Sequence, residues 1–201
     1  GLKNVHDEKS VFTQVQKLID AIKKIGEPVD IEQLADSVDT TDPRHVQALA
    51  STSKQIAALN GRWGLIKWPL VNPKNIRDKI YVILHEQGKP MHFNEISKAI
   101  KSSSFRRKDV TTQAIHNELI KDSRFVLIGR GIYALKEWGY DKGTVADVIA
   151  KVLKKAGEPL HRDEIVKRVL KSRQVKETTI LLNLQGKAQF KRVAKATYAL
   201  A

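Results

Sequence analysis

The sequence predicts a mainly α-helical fold with small antiparallel β wings, arranged as three tandem winged helix-turn-helix domains. Three observations predict it. A Gly-x-Pro turn occurs three times, as Gly26-Glu27-Pro28, Gly88-Lys89-Pro90 and Gly157-Glu158-Pro159. Each turn follows an apolar run at helical spacing, in residues 11–25, 76–84 and 145–156. Each precedes a polar residue and then an aliphatic one: Gln33-Leu34, Glu95-Ile96 and Glu164-Ile165. The turns lie 62 and 69 residues apart. That interval is too long for a solenoid unit and suits a small domain. The expected boundaries are 1–70, 71–140 and 141–201.

The middle copy shows the elements most plainly. Asn72-Pro73 reads as an N-cap with proline at the first helical position. Ile76, Ile80, Ile83 and Leu84 then recur on one face, and Gly88 and Pro90 end the helix. A second helix starts near His92, with Glu95 completing a capping box; Asp30 with Gln33 and His161 with Glu164 are the matching pairs. Residues 101–104 form a turn, and a third helix is expected from about Lys108 to Lys121. Residues 125–128 and 132–135 read as two strands around the tip Gly129-Arg130-Gly131. The last copy repeats this at a constant offset of 65 from the third helix onward, so that Ile115 matches Ile180 and Tyr133 matches Tyr198. Before that helix the offset is 69, so its preceding turn is four residues shorter. In the first copy Thr41-Asp42-Pro43 caps the third helix and residues 61–65 match the wing. The linkers, 68–72 and about 137–143, carry Trp68, Trp138 and Tyr140, which are expected to pack on neighbouring domains and limit their motion.

Composition bounds the function. The 201 residues carry a net charge of +14, which points to a polyanionic partner. Residues 1–70 hold 9 basic and 9 acidic groups, residues 71–140 hold 13 and 7, and residues 141–201 hold 14 and 6. The excess therefore belongs to the last two copies. Cysteine is absent, which excludes disulfides and thiolate metal sites and fits a cytoplasmic setting. No apolar run is long enough for a membrane span, and no signal peptide is visible. Met91 is the only methionine, so a chain opening Gly1-Leu2 is expected to be a fragment of a longer protein or a tag-cleaved product.

The residues 88–96, with His116-Asn117-Glu118-Leu119-Ile120 and then Phe125 through Gly129-Arg130-Gly131-Ile132-Tyr133 to Gly139, resemble the HARE-HTH domain. That family is a winged-helix module found in the delta subunit of bacterial RNA polymerase and in some chromatin and restriction proteins. Residues 73–201 are also similar to the C-terminal extension of some bacterial sigma factors. The resemblance implies a place in bacterial transcription beside RNA polymerase or a sigma factor, near the nucleoid. No sigma-type core-binding or promoter-reading segment occurs in this sequence.

In a winged helix the third helix commonly enters the major groove and the wing touches the backbone. Gln113, Asn117 and Lys121 lie opposite the apolar face of the middle copy's third helix, and suit base edges and phosphate. Arg106, Arg107 and Lys108 are expected at that helix's start, where backbone N–H groups favour phosphate, and Arg130 at the wing tip. The alternative for this set is a solvated polar face with a basic turn. In the last copy the equivalents of Gln113, Asn117 and Lys121 are Thr178, Leu182 and Gly186, which cannot read bases by hydrogen bonds. Its phosphate-binding candidates are Lys171, Arg173, Lys176, Lys191, Arg192 and Lys195, with Lys187 nearby. Leu181 and Leu182 form either an exposed patch for a partner or part of the domain's own core. In the first copy Arg44, His45 and Gln47 stand on the third helix, and Asp36, Asp39 and Asp42 before it would repel phosphate. That copy suits protein binding or spacing.

The six histidines show no metal-ligand spacing, and His92 and His161 share a helix-start position that suits capping. Trp63, Tyr133 and Tyr198 match in the last strand and read as core fillers more than as stacking platforms. No phosphate loop or nucleophile elbow occurs, so no cofactor and no catalysis are implied. The expected function is duplex DNA binding, mainly through phosphates. Its rival is a protein–protein adaptor, and a nuclease specificity domain is a third class that would need a catalytic domain elsewhere.

Overall fold

The computed structural model describes residues 2–38 and 42–201, with side chains from Glu8 onward. The expected roles of Asp39 and Thr41 lie outside the described residues. The fold is mainly helical with small antiparallel sheets. Three successive segments each run through three helices and a hairpin, and the last two add a short strand after the first helix. The first is α1 (Leu2–Ile25), α2 (Ile31–Ser37), α3 (Pro43–Thr52), β1 (Ile56–Leu59) and β2 (Arg62–Leu65). The second is α4 (Ile76–Gln87), β3 (Met91–His92), α5 (Phe93–Ser102), α6 (Thr112–Lys121), β4 (Phe125–Gly129) and β5 (Ile132–Leu135). The third is α7 (Val145–Ala156), β6 (Leu160–His161), α8 (Arg162–Ser172), α9 (Glu177–Gly186), β7 (Phe190–Ala194) and β8 (Thr197–Leu200).

The Gly-x-Pro turns end α1, α4 and α7 as expected. Gly26, Gly88 and Gly157 are left-handed, and their N–H groups donate to Ile22, Leu84 and Leu153 carbonyls. The residues after Pro90 and Pro159 form short strands that the sequence reading missed. Met91 pairs with Tyr133 and Leu160 with Tyr198, giving sheet orders β3-β5-β4 and β6-β8-β7. In the first segment the same contact is a single bridge, Val29 to Trp63. Tyr133 and Tyr198 are buried and Trp63 is half-buried, so all three fill the space between sheet and helices.

Contacts divide the chain into two compact units. One holds the residues up to Val82 together with Ser104–Arg106; the other holds Ile83–Ser103 and Arg107–Ala201. In the first, Leu18, Ile19 and Ile22 of α1 meet Leu34 of α2, Val46 and Ala50 of α3, and Ile56 of β1. Trp68 packs on this core, and a methyl group added at Gly64 would stand 2.7 Å from its ring. Residues 104–106 are held by Ser104 Oγ, which donates to Asn60 Oδ1, and by Lys79 Nζ, which donates to the Arg106 carbonyl.

In the second unit Ile96, Ile100, Ile115, Leu119, Phe125, Tyr133 and Leu135 are buried in the middle segment. The last segment has its own core, in which Ile149 and Leu153 of α7, Ile165 and Val169 of α8, and Ile180 and Leu184 of α9 meet Phe190 and Tyr198. Trp138 and Tyr140 cover Val126, Ile128 and Ala134 on the outer face of the β4–β5 hairpin. The linker after them is tied to the end of α8. Asp141 N–H donates to the Ser172 carbonyl at 3.3 Å, Arg173 donates to the Gly143 carbonyl, and Asp141 pairs with Lys151.

Three helix starts differ from expectation. α4 begins at Ile76, because Asn75 Oδ1 accepts from Asp78 N–H at 2.9 Å while Asp78 accepts from Lys74 N–H. Asn72 instead donates its side-chain amide to the Ile66 carbonyl. α6 begins at Thr112, not Lys108, since Thr111 Oγ1 accepts from Ala114 N–H. His92 with Glu95 and Asp30 with Gln33 form the expected capping boxes. His161 caps α8 alone, because Glu164 is drawn to Arg168 at 2.7 Å.

α7 carries a box the sequence reading passed over. Asp147 accepts from the backbone and hydroxyl of Thr144, and these bonds hold its carboxyl below the ordinary value of 3.8. A depressed folded value means the cap is intact at neutral pH and is lost as pH falls through it. A carbon-detected titration of Asp147 should therefore show a midpoint below 3.8. A midpoint at or above that value would mean the box is open in solution.

Candidate nucleic-acid interface

α6 sets the frame. Ile115 and Leu119 anchor it to the core, and Ser97 Oγ meets Thr112 Oγ1 at 3.2 Å where it starts. The outer face that follows is exposed, with Gln113, Asn117 and Lys121 along it. Gln113 Nε2 donates to Asn117 Oδ1 at 3.0 Å. That bond fixes two amides in one row and leaves an acceptor oxygen on Gln113 and a donor nitrogen on Asn117.

Arg130 is exposed at the two-residue tip between β4 and β5. The tip is seated on an aromatic row that the sequence reading did not identify. Gly131 accepts from Phe93 N–H at 3.0 Å. The ring of Phe93 lies 4.4 Å from His92 and 4.8 Å from His116, which meets Tyr133 edge-on at 6.1 Å. Burial pushes the Tyr133 phenol up, so it stays neutral.

The basic trio before α6 is corrected. Arg106, Arg107 and Lys108 are exposed, but they occupy the connection before Thr111 and not the first helical turn. Arg107 is left-handed at φ 53°, and Lys108 Nζ donates to the Ser103 carbonyl. The free N–H groups at the start of α6 are therefore not framed by these side chains.

In the last segment Lys171, Lys176, Lys187, Lys191, Arg192 and Lys195 are exposed on α8, at both ends of α9, on β7 and at the hairpin tip. Arg173 is not among them. It is only 9% exposed, because the guanidinium is drawn in beneath the linker by the Gly143 carbonyl. Desolvation lowers its pKa while Asp147 opposes the shift, and it is not available to phosphate. The leucine pair also separates. Leu181 packs against the core around Ile180, whereas Leu182 is 68% exposed. Their helical phase carries that signal, since Leu182 lies midway between the buried Ile180 and Leu184.

Further exposed apolar groups, Ile120 on α6 and Leu127 on β4, went unread. The alternation of β4, with Val126 and Ile128 buried, was the available signal for Leu127. In the first segment Asp42 caps α3 and its carboxylate lies 3.6 Å from Arg44, while His45 meets Gln14. Among the described residues no group of three or more His, Asp or Glu side chains could hold a metal ion. No described helix is long and apolar enough to cross a membrane. The chain matches no protein-family model, and no curated protein matches it.

Proposed function

We propose that the chain is a non-enzymatic DNA-binding module of three tandem winged helix-turn-helix domains, residues 1–70, 71–140 and 141–201. The observation that carries this reading is the outer face of α6. There the hydrogen-bonded Gln113–Asn117 pair offers an acceptor and a donor beside Lys121, clear of the core. An adenine edge in the major groove presents the complementary N6 donor and N7 acceptor. Backbone attraction comes from the exposed Lys121, Arg130, Lys176, Lys191, Arg192 and Lys195. The resemblance to HARE-HTH domains adds a setting in bacterial transcription, alongside RNA polymerase or a sigma factor. The near-neutral first segment serves as a spacer or a protein-binding part in this scheme.

Anisotropy of a labelled duplex tests it. If about five phosphates are neutralised, log affinity falls with log salt at a slope near about −4 to −5. Lys121→Ala should reduce that slope by about 1 on every sequence, whereas Gln113→Ala with Asn117→Ala should flatten preference between sequences. An affinity indifferent to salt ends the proposal.

The exposed Leu182 favours a second reading, an adaptor that docks on RNA polymerase or another transcription protein without touching DNA. Leu182→Ser separates the two. Lost polymerase pull-down with retained duplex binding supports both contacts; lost pull-down from a chain that never binds duplex leaves the adaptor alone.

A further inference from the structure

We propose that a cleft in the second unit is a docking site for an acidic peptide segment that carries apolar side chains. The cleft has a volume of about 550 Å³ and is lined by Ile120 of α6, Phe125 and Leu127 of β4, and by Lys142, Asp147 and Arg173 around the start of α7. Phe125 forms a buried apolar part of its lining. Ile120 is 64% exposed and Leu127 47%, so two large aliphatic side chains face water here.

The last segment supplies an internal comparison. At the constant offset of 65, its residues at these two positions are Gln185 and Arg192, both exposed. The fold therefore does not itself require aliphatic groups there. The middle segment differs in that the start of the next helix, α7, walls the cleft, and its two positions are apolar although they remain largely uncovered.

The charges choose the occupant. Lys142 is exposed at the cleft. Arg173 is buried, and its Nε has no hydrogen-bond partner. The one carboxylate in the lining, Asp147, accepts from the backbone and hydroxyl of Thr144, stays charged, and offsets the charge of the buried Arg173. The cleft thus joins an apolar surface to a net positive charge presented by the exposed Lys142, in segments that each carry a basic excess. A segment that inserts aliphatic or aromatic side chains and surrounds them with carboxylates satisfies both features. Duplex DNA offers phosphates, but its apolar groups, thymine methyls and sugar carbons, are too small to fill a cleft of about 550 Å³. A second copy of this chain, at +14, is repelled.

The test uses the full chain and a fluorescein-labelled peptide that alternates aspartate with leucine and phenylalanine. Two control peptides carry serine in place of the apolar residues, or lysine in place of aspartate. Saturable binding is expected for the first peptide, weaker by about tenfold or more for the serine control, and absent for the lysine control. The variant Ile120→Gln with Leu127→Gln changes exposed side chains only, and should weaken the first peptide by a similar factor while leaving the circular dichroism and melting profile unchanged. Equal binding of the serine control, unchanged affinity in the variant, or no saturable binding by the wild-type chain each overturns the proposal. Self-association that the variant abolishes would place a second copy in the cleft, and overturns it equally.

Discussion

Truncating Ile180 to alanine is expected to cost about 2–5 kcal/mol and to unfold the last segment before the rest of the chain. Ile180 is fully buried at the point where α9 meets α7 and α8 in a core of its own. The loss combines the removed hydrocarbon with the cavity left behind, because packed neighbours relax only in part. Hydrogen exchange read by mass spectrometry checks it. Protection should fall across α7, α8 and α9 together, with the α2–α3 amides unchanged. Unaltered protection of α7 would mean that α9 is peripheral to this core. Leu182→Ala, two positions along, removes a side chain that is mostly in water, and should leave protection within experimental scatter.

Gly131→Ala is the second large effect, expected at about 2–4 kcal/mol in the middle segment. Two costs combine. The residue sits at φ 71°, where a side chain is strained. The added methyl would also lie 2.6 Å from His92 Nε2 and 3.0 Å from the Phe93 ring. Relief of that clash has to disturb either the His92 cap of α5 or the hairpin tip that carries Arg130. Gly61→Ala isolates the first cost, since Gly61 has φ 77° and nothing within 4 Å of the new methyl. It should cost about 1 kcal/mol. Chemical denaturation of both variants measures the difference, and equal losses would show that the His92 contact is slack. If the α6 face binds duplex, Gly131→Ala should weaken binding as well, by displacing the tip, while Gly61→Ala should not.

The repeated helix-turn features were legible because each rests on local chemistry. Gly88 with Pro90, and His92 with Glu95, state a stop and a start within a few residues, and both are found as read. The hairpin tips were legible for the same reason. The two-residue strands β3 and β6 were not. Their only support is a partner some forty residues away, Tyr133 or Tyr198, and no periodicity exists in two residues. The start of α6 was misplaced because helix-forming Lys108 and Asp109 are as compatible with a helix as Thr112, and the Thr111 cap decides between them. On the interface, the Gln113, Asn117 and Lys121 stripe followed from the phase of Ile115 and Leu119. Arg173 did not, since a count of charges cannot know that the Gly143 carbonyl, thirty residues earlier in the chain, will return to meet it. The exposed Ile120 and Leu127 went unread because each sits in an aliphatic run, Leu119-Ile120 or Val126-Leu127-Ile128, whose composition alone does not say which member faces water.

The linker joining the middle and last segments is bonded to the end of α8 through Asp141, Gly143 and Arg173, and its Trp138 and Tyr140 pack on the β4–β5 hairpin. Residual dipolar couplings from α5–α6 and from α7–α9 should consequently fit one common alignment tensor. A ligand spanning both segments then meets a caliper of set gap. It must match that gap in its own geometry to touch both segments at once.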